Sequence, residues 1–259
     1  MKLNIPPGTC TVDAMRNIAV LVFVAAAAML AGCSGPITSD GASRSRSDQP
    51  LYQCRRAGGP ITIDGSLDDP AWQDAPFSDL FFVSARGVRQ MPDKLATRMK
   101  LLYDADSLYV AFDCEDGDIW STFANHDDPV QFEKATLLNI DPLANGRSYV
   151  GIYINPLNAM LDLKATSGPP EISRRSWLQA IAWNGAGIEH AVQTRGTVNK
   201  RDDLDDRWTV EIRLPFSDLG VKPLPGDTWH IQAGRLDYWL GGNIISGWTR
   251  SQFGDLTFR

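Results

Sequence analysis

The sequence is poor in the residues from which most catalytic and metal centres are built. Its 259 residues include only three histidines and four cysteines. His126, His190 and His230 are scattered along the chain and lack the spacing of zinc-binding motifs. A phosphate-binding glycine loop, a nucleophile elbow and an HExxH motif are also missing. We therefore expect no enzyme, no cofactor and no catalytic metal, with a structural calcium ion left open.

Positive charge is also scarce. The chain has 25 Lys and Arg against 31 Asp and Glu, which gives a formal net charge of −6. Because no basic patch is available to neutralise phosphates, nucleic acid is not an expected partner. The abundant carboxylates include neighbours such as Asp127 and Asp128, but a glycosidase needs two carboxylates that face each other across a cleft. Solvated loop charge is the preferred interpretation.

The sequence has no apolar run long enough to span a bilayer. Ile18–Met29 is an apolar run of about a dozen residues, which is the length of a signal-peptide core. The run leads into Leu-Ala-Gly-Cys33, which resembles a bacterial lipobox with lipid on the cysteine. We predict a signal peptide at residues 1–32, with Met15 as an alternative start because the first 14 residues fit a signal poorly.

The segments that follow Cys33 predict a tethered envelope domain. Residues 34–50 are rich in Ser, Gly, Asp and Arg, and this composition indicates a flexible tether. Residues 51–259 then form the folded domain. By resemblance to envelope lipoproteins, Ser34 favours the outer membrane, with the domain facing the periplasm or the exterior.

Short alternating segments separated by turn residues fill the chain from Leu51 onward. This pattern predicts an all-β fold, an antiparallel β-sandwich of the immunoglobulin-like or jelly-roll type with one or two short helical turns. Thr97–Tyr103 and Leu108–Cys114 flank a turn and predict the clearest hairpin. A second hairpin is predicted around Asn145-Gly146.

The second half of the chain continues this pattern. Gln179–Trp183 and Ile188–Arg195 flank a glycine-rich turn and predict a third hairpin. Trp208–Leu214 alternates apolar and polar residues, and Pro215–Leu219 predicts a single helical turn.

One stretch, ITIDGSLDDPAW from Ile61 to Trp72, combines several local signals. Its first three residues predict a short strand, and Asp64-Gly65 predicts a turn. The Asp-Asp-Pro that follows predicts the start of a helical turn, from which Trp72 would enter the core.

The order of these residues resembles the opening of the family 9 carbohydrate-binding modules and their relatives in bacterial envelope proteins. Further segments match in the same order down to the C-terminus: Leu101–Asp116, Asn139–Pro142, Tyr153–Asp162, Trp208–Leu219 and Phe253–Phe258. The resemblance implies a non-catalytic domain that binds glycan weakly and supports polysaccharide capture or catabolism, in association with glycoside hydrolases.

A candidate ligand surface also follows from the resemblance. Sugar-binding members carry a Trp just before the strand that ends in their Phe-Ile-Asp, but this chain has Gln131-Phe132 there. We expect the platform on loops at one end or edge of the sandwich, where flat aromatic rings stack on the apolar face of a sugar. The expected ligand-binding residues are Phe132, Asp237, Trp239, Trp248 and Arg250.

Two other classes of function remain alternatives. The first is a structural lipoprotein whose sandwich binds an envelope protein and no sugar, which the missing Trp favours. The second is a haem-binding domain of the DOMON type, in which Met91 or Met99 would meet His126 or His190. Nothing in the sequence places those residues together.

The cysteines predict one disulfide. If Cys10 is removed with the signal peptide and Cys33 is lipidated, Cys54 and Cys114 are the remaining thiols. Because the envelope is oxidising, we expect these two to pair, with two buried free thiols as the alternative.

The lipid anchor can be tested directly. The substitution Cys33→Ser removes the sulfur that would carry the lipid, so we expect the protein to move from the membrane fraction to the soluble envelope fraction. Fractionation followed by immunoblotting measures this shift, with Cys54→Ser as the matched control. Retention of the Cys33→Ser variant on the membrane would contradict the anchor.

Overall fold

The structure is a computed structural model that describes residues 50–86, 94–166, 174–239, 242–247 and 254–259. Within these residues the chain forms twelve strands and two short α-helices, together with 3-10 turns at Pro70–Gln73 and Val130–Phe132. The strands are β1 (Leu51–Arg56), β2 (Phe82–Arg86), β3 (Thr97–Tyr103), β4 (Ser107–Glu115), β5 (Ala135–Asp141), β6 (Tyr149–Ile154), β7 (Met160–Ala165), β8 (Glu189–Arg195), β9 (Arg207–Pro215), β10 (Thr228–Trp239), β11 (Gly242–Gly247) and β12 (Gly254–Phe258). The helices are α1 (Arg174–Ala180) and α2 (Phe216–Leu219).

The strands join into one curled sheet whose two halves pack face to face. The order is β7-β6-β5-β10-β12-β1-β3-β4-β9-β8, with β11 and β2 added beside β10. Strand β1 connects the halves, because it pairs in parallel with β12 through its first residues and with β3 through its last two. The predicted all-β sandwich with short helical turns is confirmed. The two pairings of β1 are parallel, and the other strand pairs are antiparallel.

Apolar side chains from both halves meet in the main core. The strand β4 supplies Leu108, Val110 and Phe112, and the facing strand β6 supplies Val150 and Ile152. Strand β4 is buried along almost its whole length, so its outward residues are covered as well as its inward ones. In a strand with one buried and one solvated face, the outward side chains would contact water. Because the outward side chains of β4 are buried, another segment of the chain must cover them.

The stretch from Ile61 to Trp72 is that cover. Trp72 is fully buried in a small core with Tyr109 and Ala111, as its position after the helical turn predicts. The turn at Gly65 is also confirmed: its φ is +85°, and a Cβ there would lie 2.7 Å from the backbone nitrogen of Gln193. Only glycine fits this backbone conformation and this close approach.

A buried carboxylate on β9 holds the cover in place. Glu211 accepts hydrogen bonds from the backbone nitrogens of Asp64 and Gly65 at 3.1 and 2.9 Å. Its other oxygen accepts the indole N–H of Trp72 at 2.7 Å. Burial raises the pKa of Glu211, and the three hydrogen bonds offset part of this effect.

Two predicted strands are wrong. Residues 61–63 alternate in burial but form no strand, because they lie over the outer face of the sandwich and pair with no neighbour in the sheet. The segment predicted as Gln179–Trp183 is instead the end of α1 and the turn after it. Strand β8 therefore pairs with β9 and not with that segment.

The two predicted hairpins that lie between these segments in the sequence are confirmed. Strands β3 and β4 pair from Thr97 opposite Cys114 to Tyr103 opposite Leu108. Strands β5 and β6 flank the Asn145-Gly146 turn, in which Gly146 has a φ of +68°. Among the described residues, no helix has the length and apolar composition needed to cross a bilayer.

The predicted disulfide between Cys54 and Cys114 is not formed. Both are buried free thiols, which corrects that prediction. Strand β1 pairs with β3 at Arg55 opposite Leu102, whereas Cys114 pairs with Thr97 at the far end of β3. Cys54, one residue before Arg55, is level with Leu101, so about 14 Å of strand separates the levels of the two cysteines, well beyond the roughly 7 Å limit between bridged Cα atoms. Burial raises the pKa of Cys114 to about 12, so this thiol is unreactive at neutral pH.

The role of Glu211 generates the first structural prediction. Glu211→Ala leaves the Trp72 indole and two backbone N–H groups buried without an acceptor, and we expect the free energy of unfolding to fall by about 3 kcal/mol. Glu189→Ala is the matched control, because Glu189 lies on the adjacent strand, is about half exposed and pairs with Arg213 at the surface. We expect the control to change stability by less than about 1 kcal/mol. Urea unfolding measures both variants.

The raised pKa of Glu211 adds a pH dependence. A carboxyl whose pKa is higher in the folded state favours folding when protonated, so its contribution falls as pH rises through the folded pKa. We expect the wild-type protein to lose stability relative to Glu211→Gln as the pH rises from about 4, the ordinary range of a glutamate, to values above that range. If the free energies of unfolding of the two proteins, measured in urea, differ by the same amount at every pH, the pH dependence does not arise from Glu211.

Candidate functional site

Two of the predicted ligand residues lie at one end of the sandwich. Phe132 ends the 3-10 turn that precedes β5 and is partly exposed, and Asp237 is close to the end of β10. Because Leu236 pairs with Ala135, both residues belong to the same end of the sheet. Trp239 is the last residue of β10, and its side chain lies outside the described part of the structure.

The other predicted ligand residues, Trp248 and Arg250, also lie outside the described residues, and their roles stay predictions. The two methionines proposed as haem ligands give no support to the haem alternative. Met99 is fully buried in the main core, as its alternation on β3 indicates, and Met91 lies outside the described residues.

Asp237 belongs to a buried group of four charges. Its carboxylate contacts the Lys134 ammonium at 3.1 Å and the Arg235 guanidinium at 3.0 Å. Asp116 contacts the same two cations at 2.9 and 2.7 Å, so two positive charges face two negative ones. Burial opposes the charged form of Arg235, but the two carboxylates raise its pKa. We call these four residues the charge cluster.

The charge cluster also fixes the strand ends around it. Arg235 donates to the backbone carbonyl of Glu115 at 2.6 Å, and the indole of Trp208 donates to Asp116 at 3.2 Å. The cluster therefore ties the ends of β4 and β10 to the starts of β5 and β9. Asp237 is 1% exposed, so in this geometry its carboxylate does not reach a ligand in solvent.

The outer face of the half-sheet beside this end carries an exposed aromatic ring. Phe82 on β2 is 46% exposed, whereas its neighbour Phe81 is buried. Phe82 pairs with Gly247, which pairs with Gly234, which pairs with Leu137. Residues that pair across neighbouring strands share a face, so these four form one row across β2, β11, β10 and β5.

The middle of this row is made of backbone only. Gly247 and Gly234 place no side chain between the Phe82 ring and Leu137. Glycine inside a strand marks a place where a ligand or another backbone approaches closely. We call Phe82, Gly247, Gly234, Leu137 and the neighbouring Phe132 the outer-face surface. Within it, Phe82 is 46% exposed, and Gly247 and Phe132 are partly exposed, whereas Gly234 and Leu137 are buried.

Amide groups lie one step along the strands from this row. Gln232 on β10 pairs with Asn139 on β5, and the Asn139 side chain donates to the Gln232 side-chain oxygen at 2.7 Å. Gly151 lies opposite Asn139 on β6, where a Cβ would come within 2.7 Å of the Asn139 oxygen. Asn139 is 6% exposed and Gln232 is partly exposed, so Gln232 is the member of this pair whose amide can reach a ligand in solvent.

The loop that carries Phe132 is held by buried polar groups. Glu133 accepts hydrogen bonds from the Ser121 hydroxyl and the Thr122 nitrogen, both at 2.7 Å. Asn155 donates to the Ser121 hydroxyl at 2.7 Å and to the carbonyl of Phe123 at 2.8 Å. Phe132 is therefore presented on an ordered segment, and not on a free loop.

A surface depression of about 800 Å³ lies at the opposite end of the sandwich, near Asp106 and Pro215. Among the described residues, its one aromatic lining residue is Phe216, which is 4% exposed and packs edge-on against Trp229. The described lining therefore offers no exposed ring on which a sugar could stack.

No family model matches the chain, and no curated protein matches it. Among solved structures, a family 9 carbohydrate-binding module from Caldicellulosiruptor kristjanssonii in complex with cellotriose aligns with a TM-score of 0.55 at 14% identity, covering 81% of this chain and 94% of the module. The glucose complex of such a module from the same organism gives 0.54 at 15% identity, with 80% and 96% coverage.

A candidate carbohydrate-binding protein from Bacteroides uniformis aligns with a TM-score of 0.60 at 13% identity, covering 82% of this chain and all of that one. At these identities the likeness establishes the fold. The chain has the fold of the family 9 carbohydrate-binding modules, as the order of its sequence motifs predicts.

Sequence reasoning missed Phe82. The pair Phe81-Phe82 shows that one ring points inward and one outward, because successive strand residues face opposite sides, but it does not show which. The pairing of Phe82 with Gly247 and its 46% exposure show that Phe82 is the ring on the outer face of the sheet. Nothing in the local sequence predicts that β2 lies beside β11.

The charge cluster generates a prediction about Asp237. Asp237→Ala leaves Lys134 and Arg235 with one buried carboxylate, and we expect the free energy of unfolding to fall by roughly 3–5 kcal/mol. Asp202→Ala is the control, because the Asp202 side chain is 82% exposed. Thermal and urea unfolding measure both. A fully stable Asp237→Ala variant would show that Asp237 is free to serve a ligand.

Proposed function

We propose that residues 51–259 are a non-catalytic domain that binds glucose-containing glycans on the outer-face surface. The observation that carries this proposal is the row of Phe82, Gly247, Gly234 and Leu137 on a fold shared with modules solved in complex with cellotriose and glucose. In this proposal the two residues of the row that reach solvent, Phe82 and Gly247, contact one face of a sugar ring.

The chemistry of a pyranose matches this surface. Its C–H face is apolar and flat, so it stacks on an aromatic ring and packs on a bare backbone floor, while its hydroxyls need hydrogen-bond partners at the edge. Phe82 and Phe132 supply the rings, and Gln232 supplies the amide, which the buried Asn139 holds in place by donating to its side-chain oxygen. Trp248 and Arg250 are further proposed contacts from the sequence.

We expect the affinity to be weak. The place before β5 where sugar-binding relatives carry a Trp is occupied by Gln131 and Phe132. A phenyl ring offers less stacking area than an indole, and one stacked ring contributes on the order of 1 kcal/mol beyond its buried area. Dissociation constants from millimolar to high micromolar, or roughly 4–6 kcal/mol, follow from this.

The proposed location supports the same function. A lipid on Cys33 and the tether at residues 34–50 would hold the domain at the cell envelope, where it would retain polysaccharide for catabolism. In this arrangement the binding partner is an extended glycan, and the catalysis is supplied by other proteins.

The decisive variant is Phe82→Ala. It removes the exposed ring, so we expect cellotriose binding to weaken at least tenfold, which corresponds to about 1.4 kcal/mol. Because the Phe82 side chain is already about half exposed, we expect the melting temperature to change little. Titration calorimetry or NMR shift titration with cellotriose and glucose measures the affinity.

Leu224→Ala is the matched control, since Leu224 is another exposed apolar residue, 67% exposed, in the connection before β10. It should bind as the wild type does. If Phe82→Ala and the wild type bind cellotriose with equal affinity, the sugar does not bind on the outer-face surface. If the wild type binds no glycan in a broad screen, the protein-interaction alternative takes precedence.

A further inference from the structure

A second cluster of polar side chains lies between the free edges of the two half-sheets. Asp162 on the edge strand β7 pairs with Ile152, and His190 on the edge strand β8 pairs with Ile212. Both partners belong to the main core, so Asp162 and His190 face inward at the open side of the sandwich. Titratable groups rarely face a core without a specific partner.

The loop before the second 3-10 turn brings two more groups to Asp162. The nitrogen Nε2 of His126 lies 3.5 Å from Asp162 Oδ1, and its Nδ1 lies 3.3 Å from Asp127 Oδ2. One ligand atom from each of these three residues falls within 4.8 Å of the other two. The backbone nitrogen of Asp127 also donates to the carbonyl of Met160 at 2.9 Å, which fixes the loop against β7.

Asp162 supplies an independent indication of a ligand. Its side chain is fully buried, and Oδ2 accepts a hydrogen bond from the Gly185 nitrogen at 2.7 Å. Oδ1 accepts no hydrogen bond from any residue in the described part of the chain, and it points toward His126. A buried carboxylate oxygen without a donor is costly, so a cation at this place would satisfy it.

From this geometry we propose that His126, Asp127 and Asp162 bind one divalent transition-metal ion, with zinc as the preferred ion. Ligand atoms on a tetrahedron with bonds of about 2.0–2.1 Å are roughly 3.3 Å apart, and His126 Nε2 and Asp162 Oδ1 already have nearly that spacing. An imidazole ligand favours zinc over calcium, which takes oxygen ligands. Three protein ligands leave the fourth position to water.

The ion would have a structural consequence. It joins the segment of His126 and Asp127 to β7, and this same segment leads into the 3-10 turn that carries Phe132. The side chains of His126 and Asp127 are 39% and 47% exposed, so an ion can enter from solvent while Asp162 anchors it from the core. Zinc should therefore raise the melting temperature of the domain.

Zinc titration of the full chain tests the site. The affinity tag is removed, bound metal is stripped with a chelator, and zinc chloride is titrated by calorimetry. We expect one site per chain that His126→Ala and Asp162→Asn each weaken at least thirtyfold. His230→Ala is the control, because His230 lies near Asp141 and Asp255 at longer distances of 3.9 and 3.7 Å. We expect it to bind as the wild type does.

Two further measurements keep the outcome clear. Asp162→Asn keeps an oxygen acceptor for the Gly185 nitrogen, and if it still fails to fold, the surface variant His126→Ala decides alone. Cobalt(II) in place of zinc should give the visible absorption of a tetrahedral site, and His126→Ala should abolish it. The proposal is overturned if zinc does not bind, if His126→Ala binds zinc as the wild type does, or if only calcium binds. Glycan binding is a separate readout and decides none of these outcomes.

Discussion

The neutralisation of two buried cations sets the geometry at the end of the sandwich that carries Phe132. Lys134 and Arg235 are 1% and 0% exposed, and they are held in the sandwich by Asp116 and Asp237. An unpaired charge at such a place costs several kcal/mol, so the four side chains must come together whenever the two half-sheets close. That contact fixes the positions of the start of β5 and of the ends of β4 and β10. The turn that carries Phe132 directly precedes β5, so its position is set as well.

The other buried carboxylates act in the same way, as acceptors that organise loops. Glu211 gathers two backbone nitrogens and an indole, and Glu133 gathers the hydroxyl and backbone groups of residues 121–123. Asp205 accepts the nitrogens of Ile119 and Thr197. The abundance of acidic residues thus has a structural explanation that needs no catalytic pair. Asp162 differs from this group, because its Oδ1 lies 3.5 Å from His126 Nε2 and accepts no hydrogen bond from the described residues.

Much of the fold could be predicted from the sequence, because local alternation and turn chemistry decide hairpins. The predicted Thr97–Tyr103 agrees with β3, and the turn at Gly65 has the positive φ that glycine permits. Errors arose where tertiary burial overrides local pattern. Residues 61–63 alternate like a strand but cover an outer face, and the predicted strand Gln179–Trp183 is the end of a helix and the turn after it. Cys54 and Cys114 seemed pairable only because strand order is not encoded locally.

The candidate surface depends on strand order even more strongly. Its row joins β2, β11, β10 and β5, whose paired residues Phe82, Gly247, Gly234 and Leu137 are separated in sequence by up to 165 positions (247 − 82). No residue of the row is unusual alone, since single exposed aromatics and strand glycines are common. Their register places the exposed Phe82 ring beside Gly247, which has no side chain to cover it, while Gly234 and Leu137 continue the row into the buried part of the sheet. A ligand that is flat and apolar on one face and polar at its edge is the kind that such a strip can bind.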